Sequence, residues 1–325
     1  MQQARLAAWL QRQLGEELRA MAPVGGGCIH NAWRLDLADG RRLFAKTNRA
    51  SLLPVLAAEA EGLSALGEAA QAATALQTDD ALTGAPPPTV PTPLQLAELE
   101  GEALLLLSWL ELEQQPAAGG ADLAWHQLGA GLAALHRASL SNHDGRFGWE
   151  RDNFIGSGPQ PNGWQTDWGP FFSEQRLGAQ LRWAARTGHR LNGAEVLLEQ
   201  VPHWLASHQA EACLVHGDLW CGNAALLRGQ GGGSTSGGAL FDPAVYRGDR
   251  EVDLAMAQLF GGFPAAFFAG YTATWPLRAG HAQRVDLYNL YHLLNHANLF
   301  GGGYWRQAEQ CMQRCLQTLV QDPRF

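Results

Sequence analysis

LVHGDLWCGN, residues 214–223, runs from a short apolar entry into His-Gly-Asp and reaches an asparagine five positions after the aspartate. A solvated loop can carry those letters to no purpose. A phosphoryl-transfer site needs them, because a carboxylate must face the attacking hydroxyl while a nearby amide oxygen reaches a metal. The surrounding sequence decides between the two. Downstream, ALFDP (239–243) ends another short apolar run on Asp242, and RGQGGGSTSGG (228–238) lies between the runs. Read as the tip of a long hairpin rather than as a linker, this stretch brings Asp218 and Asp242 to one mouth. Asn223 and Asp242 then offer oxygen ligands to Mg²⁺, and Asp218 is left to accept a proton.

Two pieces upstream complete an ordered set. GGGC (25–28) is a turn whose Gly25, Gly26 and Gly27 amides can approach phosphates, since no Cβ obstructs them. Alone it is only a glycine-rich hairpin turn. Lys46 ends the strand RRLFAK, which follows a hairpin closed by Ala38-Asp39-Gly40, and Glu59 lies on the helical segment after Pro54. A strand lysine paired with a helix carboxylate holds an ammonium against nucleotide phosphates, although most strand lysines are edge residues in water. Each piece has a bland reading; the order of all four implies a kinase-like phosphotransferase using ATP and Mg²⁺.

The composition permits this. The 325 residues are 46% hydrophobic, enough for a two-lobed enzyme with a large core. A net charge of -8 argues against nucleic acid or an anionic membrane surface as partner. Five cysteines without a CxxC suggest neither a disulfide framework nor a zinc ribbon, and Cys311 and Cys315 read as core thiols. The first twenty residues read as one amphipathic helix with Leu6, Trp9, Leu10 and Leu14 on a face. With no secretory pattern and no membrane-length apolar run, the expectation is a reduced, cytoplasmic protein. Residues 70–93, rich in Ala, Thr, Gln and Pro, read as a surface loop, and EALLLLSW (102–109) as a buried strand. From about residue 120 the pattern is mostly helical, with FPAAFFAGY (263–271) read as helix packing. The expected fold is α+β: a small β-rich N-lobe over 1–107 and a larger, mostly helical C-lobe over 108–325. His292 and His296 lie four apart on a helix without an intervening metalloprotease glutamate, so a structural pair or a pocket wall is expected rather than zinc.

The ordered set resembles the protein-kinase-like superfamily, with Gly217 where regulated protein kinases carry an arginine, and with no DFG or APE triplet. That form is similar to the small-molecule branch containing aminoglycoside and choline kinases. Within the branch, HGDLWCGN, FDPAVYRGDREVDLAMAQLFGGF, NFIGSGPQPNGW, DWGPFFSEQRLGAQL and LYHLLNHANLFGGGYW resemble the fructosamine/ketosamine kinase family from about residue 20 to 310. The resemblance implies transfer of the ATP γ-phosphate to the 3-hydroxyl of ketoamines, whose unstable 3-phosphate eliminates and releases the amine. It implies Asp218 as base, Asn223 and Asp242 as metal ligands, and Lys46 with Glu59 as nucleotide-orienting pair. His216 and Asp253 are expected to support the catalytic loop, Trp220 to stack on the sugar, and backbone groups at Ser108, Trp109 and Leu110 to meet adenine. The acceptor would be a small ketoamine or a glycated protein side chain. A kinase for another small alcohol, aminoglycoside- or choline-like, and a nucleotide-binding pseudokinase remain the alternatives.

Cys28 follows the three glycines, where the resemblance also has a cysteine. Amides of such a turn favour thiolate; a thiol packed under the sheet is the alternative. Oxidation would add bulk beside the γ-phosphate or link two monomers through their loops. Mild peroxide is then expected to lower activity reversibly in wild type and not in Cys28→Ala, with Cys221→Ala as control. Sensitivity lost only in Cys221→Ala would move the switch to the catalytic loop.

Overall fold

The computed structural model describes residues 3–25, 29–77, 85–113, 121–141, 143–229 and 237–321. Helix α1 (Gln3–Leu14) buries Leu6, Trp9 and Leu10. It is shorter than the sequence pattern suggests, because Gly15 turns the chain at φ +69° and Leu18 already opens a strand. A five-stranded antiparallel sheet follows: β1 (Leu18–Val24), β2 (Asn31–Leu37), β3 (Arg42–Arg49), then, after α2 (Leu53–Gln77), β4 (Pro93–Leu99) and β5 (Glu102–Ser108). The strand order is β1-β2-β3-β5-β4.

Strand periodicity explains why this sheet presents Lys46 as it does. Along β5, Leu104 and Leu106 pack in the cluster with α1, whereas Ala103, Leu105 and Leu107 pack with Leu56 and Leu63 of α2. Side chains alternate between faces, so EALLLLS is apolar throughout because both faces are covered. Lys46 sits opposite Leu105 in the ladder and shares its α2 face, where Glu59 waits.

Part of the presumed surface loop at 70–93 is packed structure. Helix α2 continues to Gln77, Thr89 bridges Ala239, Val90 packs half-buried against the cluster between helix and sheet, and Pro93 begins β4. The prolines disguised a connection that is fastened at both ends.

The remainder is mostly helical: α3 (Ala121–Ala138), the small hairpin β6 (Asn153–Ile155) and β7 (Gly158–Gln160), then α4 (Trp168–Phe171), a π-helical segment (Phe172–Gly178), α5 (Ala179–Arg186) and α6 (Ala194–Ala206). Four short strands come next: β8 (Cys213–Val215), β9 (Ala224–Leu226), β10 (Gly238–Leu240) and β11 (Tyr246–Gly248). Here β9 pairs with β10 and β8 with β11. The chain ends with α7 (Glu251–Leu259), α8 (Ala265–Thr274), α9 (His281–Phe300) and α10 (Gly303–Gln321). Phe267 and Tyr271 of α8 are buried, and so are the free thiols of Cys311 and Cys315. No helix among the described residues is long and apolar enough to cross a membrane.

The π-helical segment carries Arg176, which is wholly buried. Its guanidinium donates to the Pro161 carbonyl (2.5 Å) and Asn162 Oδ1 (2.7 Å) and lies 3.8 Å from the Tyr246 ring centroid. Asn162 Nδ2 and Gln160 Nε2 both donate to Asn153 Oδ1, at 2.8 Å each. Asn153 and Gln160 in turn donate to the carbonyls of Val245 (2.7 Å) and Ala244 (3.0 Å). This polar chain reaches from a helix to the backbone just beyond Asp242. Arg176→Leu leaves buried acceptors without donors and is expected to lower stability by roughly 2–4 kcal/mol, measured by urea unfolding; a loss under about 1 kcal/mol would mean water replaces the guanidinium.

Candidate active site

The loop between β8 and β9 carries His216, Asp218, Trp220 and Asn223, and the β9–β10 hairpin returns the chain to Asp242. The register places Ala224 opposite Leu240, so Asn223 and Phe241 flank the base of the hairpin and Phe241 N–H bonds Asn223 O at 3.1 Å. Both aspartates therefore reach one side of the cleft. The tip, 230–236, lies outside the described residues.

Asp253, buried near the start of α7, fixes this loop from below. Its carboxylate accepts the N–H groups of His216 (2.7 Å) and Gly217 (2.8 Å), while His136 Nε2 lies 3.1 Å from the same group. Burial alone would raise Asp253, but His136 and the loop donors hold it below the ordinary carboxylate range. His216 is buried and its pKa lowered by that burial. As a neutral ring, its Nε2–H donates to the Phe241 carbonyl (3.0 Å) and its Nδ1 accepts the Asp218 N–H (3.3 Å). Gly217 has φ +80°, and a Cβ there would stand 2.1 Å from the Ala244 carbonyl oxygen. The glycine of HGD is thus a steric necessity of this loop.

Asp218 is desolvated. Burial, and secondly the charge of Asp242, push its carboxyl up to about 7, against the opposing hydrogen bond from Asn223. Asn223 spends its amide NH₂ on the Asp218 carbonyl (2.9 Å), Asp218 Oδ2 (3.3 Å) and the Asp242 carbonyl (3.3 Å). Its Oδ1 is thereby left as the group for a cation. Asp242 has the left-handed φ of +57°, which aspartate tolerates, immediately before Pro243.

Lys46 bonds Glu59 at 2.6 Å and also ion-pairs with Asp242 across the cleft. Burial opposes the ammonium, but Glu59 and then Asp242 outweigh it, so its pKa is raised. One ammonium thus serves two carboxylates. Burial also raises Glu59, to about 7, with Lys46 opposing and Asp242 reinforcing. Asp242 thus lies between the Lys46 ammonium and the Asp218 carboxylate, and its carboxylate with Asn223 Oδ1 could hold a divalent cation there.

The cleft has a volume of about 900 Å³. Gly25, Lys46, Glu59, Ser108, Trp109, Leu110, Asp218, Trp220, Asn223 and Asp242 all line it. Gly26, Gly27 and Cys28 lie outside the described residues. Ser108 is partly committed, since its N–H donates to the Thr92 carbonyl and its hydroxyl accepts the Thr92 N–H, each at 2.9 Å. The Trp220 indole covers Gly222, where a Cβ would stand 2.2 Å from the ring. Sequence reasoning missed His136 and the supports at Asn153, Gln160, Asn162 and Arg176, whose partners are remote in the chain. The polar residues of NFIGSGPQPN were the available signal. In a second polar cluster, His208, Asp249 and Glu251, the carboxylates are already engaged: Tyr288 donates to Asp249 (2.6 Å) and Arg284 to both Glu251 oxygens (2.8 Å each).

Comparison with known proteins accords with this geometry. The fructosamine kinase family model matches residues 1–318. The chain belongs to the fructosamine kinase family. A probable ketoamine kinase of Synechocystis sp. is 43% identical over 295 residues, covering 90% of this chain and 89% of the relative. The chloroplastic protein-ribulosamine 3-kinase of Arabidopsis thaliana is 34% identical over 312 residues, covering 93% and 84%. A crystal structure of a putative fructosamine-3-kinase from Thermobifida fusca superposes with a TM-score of 0.75 at 30% identity, covering 96% and 98%. An aminoglycoside phosphotransferase bound to ADP and hygromycin B, 17% identical with a TM-score of 0.59 and coverage of 97% and 98%, shares the kinase-like fold. The fructosamine kinase family membership makes this protein a phosphotransferase.

Gly217→Ala should destabilise by more than the roughly 1–2 kcal/mol of a left-handed backbone alone, because the Ala244 carbonyl must also move. Urea unfolding checks this; a smaller loss would show that the β8–β11 region yields freely.

Proposed function

We propose that the protein is an ATP-dependent ketoamine kinase that phosphorylates the 3-hydroxyl of sugar-amine adducts and so promotes deglycation. The observation that carries this reading is the convergence of Asp218, Asn223, Asp242 and Lys46 in one cleft within a chain of this family. The name of the Arabidopsis relative supports the 3-hydroxyl as acceptor.

In the reading we favour, Lys46, held by Glu59, orients the nucleotide phosphates, and the amides of the glycine turn cover them. Backbone groups at Trp109 and Leu110, where β5 leaves the sheet, meet adenine, consistent with a boundary between lobes at 107/108. Asn223 Oδ1 and the Asp242 carboxylate are hard oxygen donors suited to Mg²⁺, which when bound would neutralise the phosphate charge. The acceptor oxygen attacks the γ-phosphorus, the bond to the β-phosphate oxygen breaks, and the hydroxyl proton passes to Asp218. Trp220 offers an indole face to the C–H surface of the sugar. C3, which carries the phosphate, adjoins the C2 ketone. Enolisation toward C1 lets the nitrogen lone pair expel phosphate, and water then hydrolyses the resulting C1 imine to free the amine. A polycationic acceptor such as an aminoglycoside would call for carboxylates around it. Among the described residues lining the cleft, the acidic side chains are Glu59, Glu111, Glu113, Asp218 and Asp242. None belongs to the α9–α10 wall, which favours the sugar-amine reading.

ADP release with a panel of ketoamines tests the proposal, and absence of turnover with all of them would refute it. Asp218→Asn keeps the shape without the basicity, and turnover should fall about 10²–10⁴-fold while calorimetry shows ATP affinity little changed. Near-wild-type turnover would remove Asp218 as proton acceptor. Asp242→Ala should weaken Mg·ATP binding as well as turnover, and Asn223→Ala chiefly turnover. Unaltered Mg·ATP affinity in both variants would contradict the metal assignment.

A further inference from the structure

One wall of the cleft is a cluster of aromatic rings that phosphoryl transfer itself does not use. Phe260 follows α7, His296 and Phe300 lie on α9, and Tyr304 is in the first turn of α10. The His296 ring centroid is 4.9 Å from Phe260, 5.2 Å from Tyr304 and 5.7 Å from Phe300. Phe260–Tyr304 (6.3 Å) and Phe300–Tyr304 (6.2 Å) close the set. These separations lie in the range of favourable ring–ring contacts. All four side chains line the same cleft as Asp218 and Trp220.

The cluster does more than pack a core. Phe300 is 54% exposed although the rings of His296 and Tyr304 pack beside it, so rings of this wall remain open at the cleft mouth. The wall also lacks positive charge. Burial lowers the pKa of His296 against the opposing bond to the His292 carbonyl (2.9 Å), and burial lowers His292 to about 3. Neutral aromatic faces attract an ammonium and equally cover the carbons attached to it.

A ketoamine has that chemistry. Its secondary nitrogen, protonated near neutral pH, lies at C1, close to the reacting hydroxyl, and carries the amine's own substituent away from the sugar. On the ketoamine reading, we infer that Phe260, His296, Phe300 and Tyr304 form the subsite for the amine half of the acceptor. There the ammonium and the first carbons of its substituent lie against aromatic faces. The open side at Phe300 leaves room for a longer substituent, such as a peptide-borne side chain, to continue into solvent. Phe300 and Tyr304 thereby set which amines are accepted.

The test compares ketoamines of one sugar that differ only in the amine, methylamine against benzylamine. Wild type should favour the benzyl compound in kcat/KM by about tenfold, the scale of one aromatic contact. Phe300→Ala and Tyr304→Ala should each remove most of that preference through the ketoamine KM, with the KM for ATP changed less than about twofold. Phe300→Leu, which keeps apolar area without a π face, should fall between. An unchanged preference in both alanine variants, or equal losses on both acceptors, would overturn the inference while leaving the kinase reading intact. No turnover of either ketoamine by wild type would overturn both.

Discussion

A single buried ammonium shared by two carboxylates organises the molecule. Lys46 comes from β3, Glu59 from α2, and Asp242 from the turn after β10. Moving the Lys46 and Glu59 charges out of water costs several kcal/mol, and attraction repays this only where the partners are fixed. The packing around the trio supplies the fixing. Alternation along β5 sets which face of the sheet α2 covers, and that choice decides that Glu59 meets Lys46. The backbone just beyond Asp242 is held by a different set of contacts, the polar chain from Arg176 through Asn162, Asn153 and Gln160 to the carbonyls of 244–245. Sheet, helix and loop are each rigid for their own reasons, and the ion pairs join them where the reacting groups must lie.

Asp253 plays a comparable part for the loop. A carboxylate that accepts two consecutive backbone N–H groups fixes the orientation of both peptide planes. The neutral His216 ring extends that control to the Asp218 N–H and the Phe241 carbonyl. The loop therefore has few ways to relax, and Asp218 stays desolvated beside Asn223.

Much of this was legible in the sequence because it is local. The spacing of Asp218 and Asn223, the apolar runs beside them, and the lysine within the apolar strand β3 are all encoded within a few residues. Long motifs then identified the family. What could not be read was non-local or disguised. The strand β4 hides in PTPLQLAEL, where prolines suggest a loop and alternation is short. The first helix was read too long because LRA continues its apolar spacing after Gly15. The positioning role of Arg176 needs the fold, since Tyr246 and the backbone at 161–162 meet it only once the π-helical segment, the turn after β7 and β11 have packed.

Thr89 carries a consequence for how the chain unfolds. Its N–H bonds the Gly238 carbonyl (2.9 Å) and its carbonyl accepts the Leu240 N–H (3.0 Å), while Leu112 bridges Leu227 on the other side of the same hairpin. The segments entering and leaving the β4–β5 pair are thus stitched to the strands that carry Asn223 and Asp242. Two halves that look separable in outline share their backbone ladder. Melting the sheet would strip the edges of that hairpin, and melting the hairpin would expose the edge at Thr89, so heat should not find a stable half-folded species between them. The architecture is bipartite in shape and unitary in cooperativity.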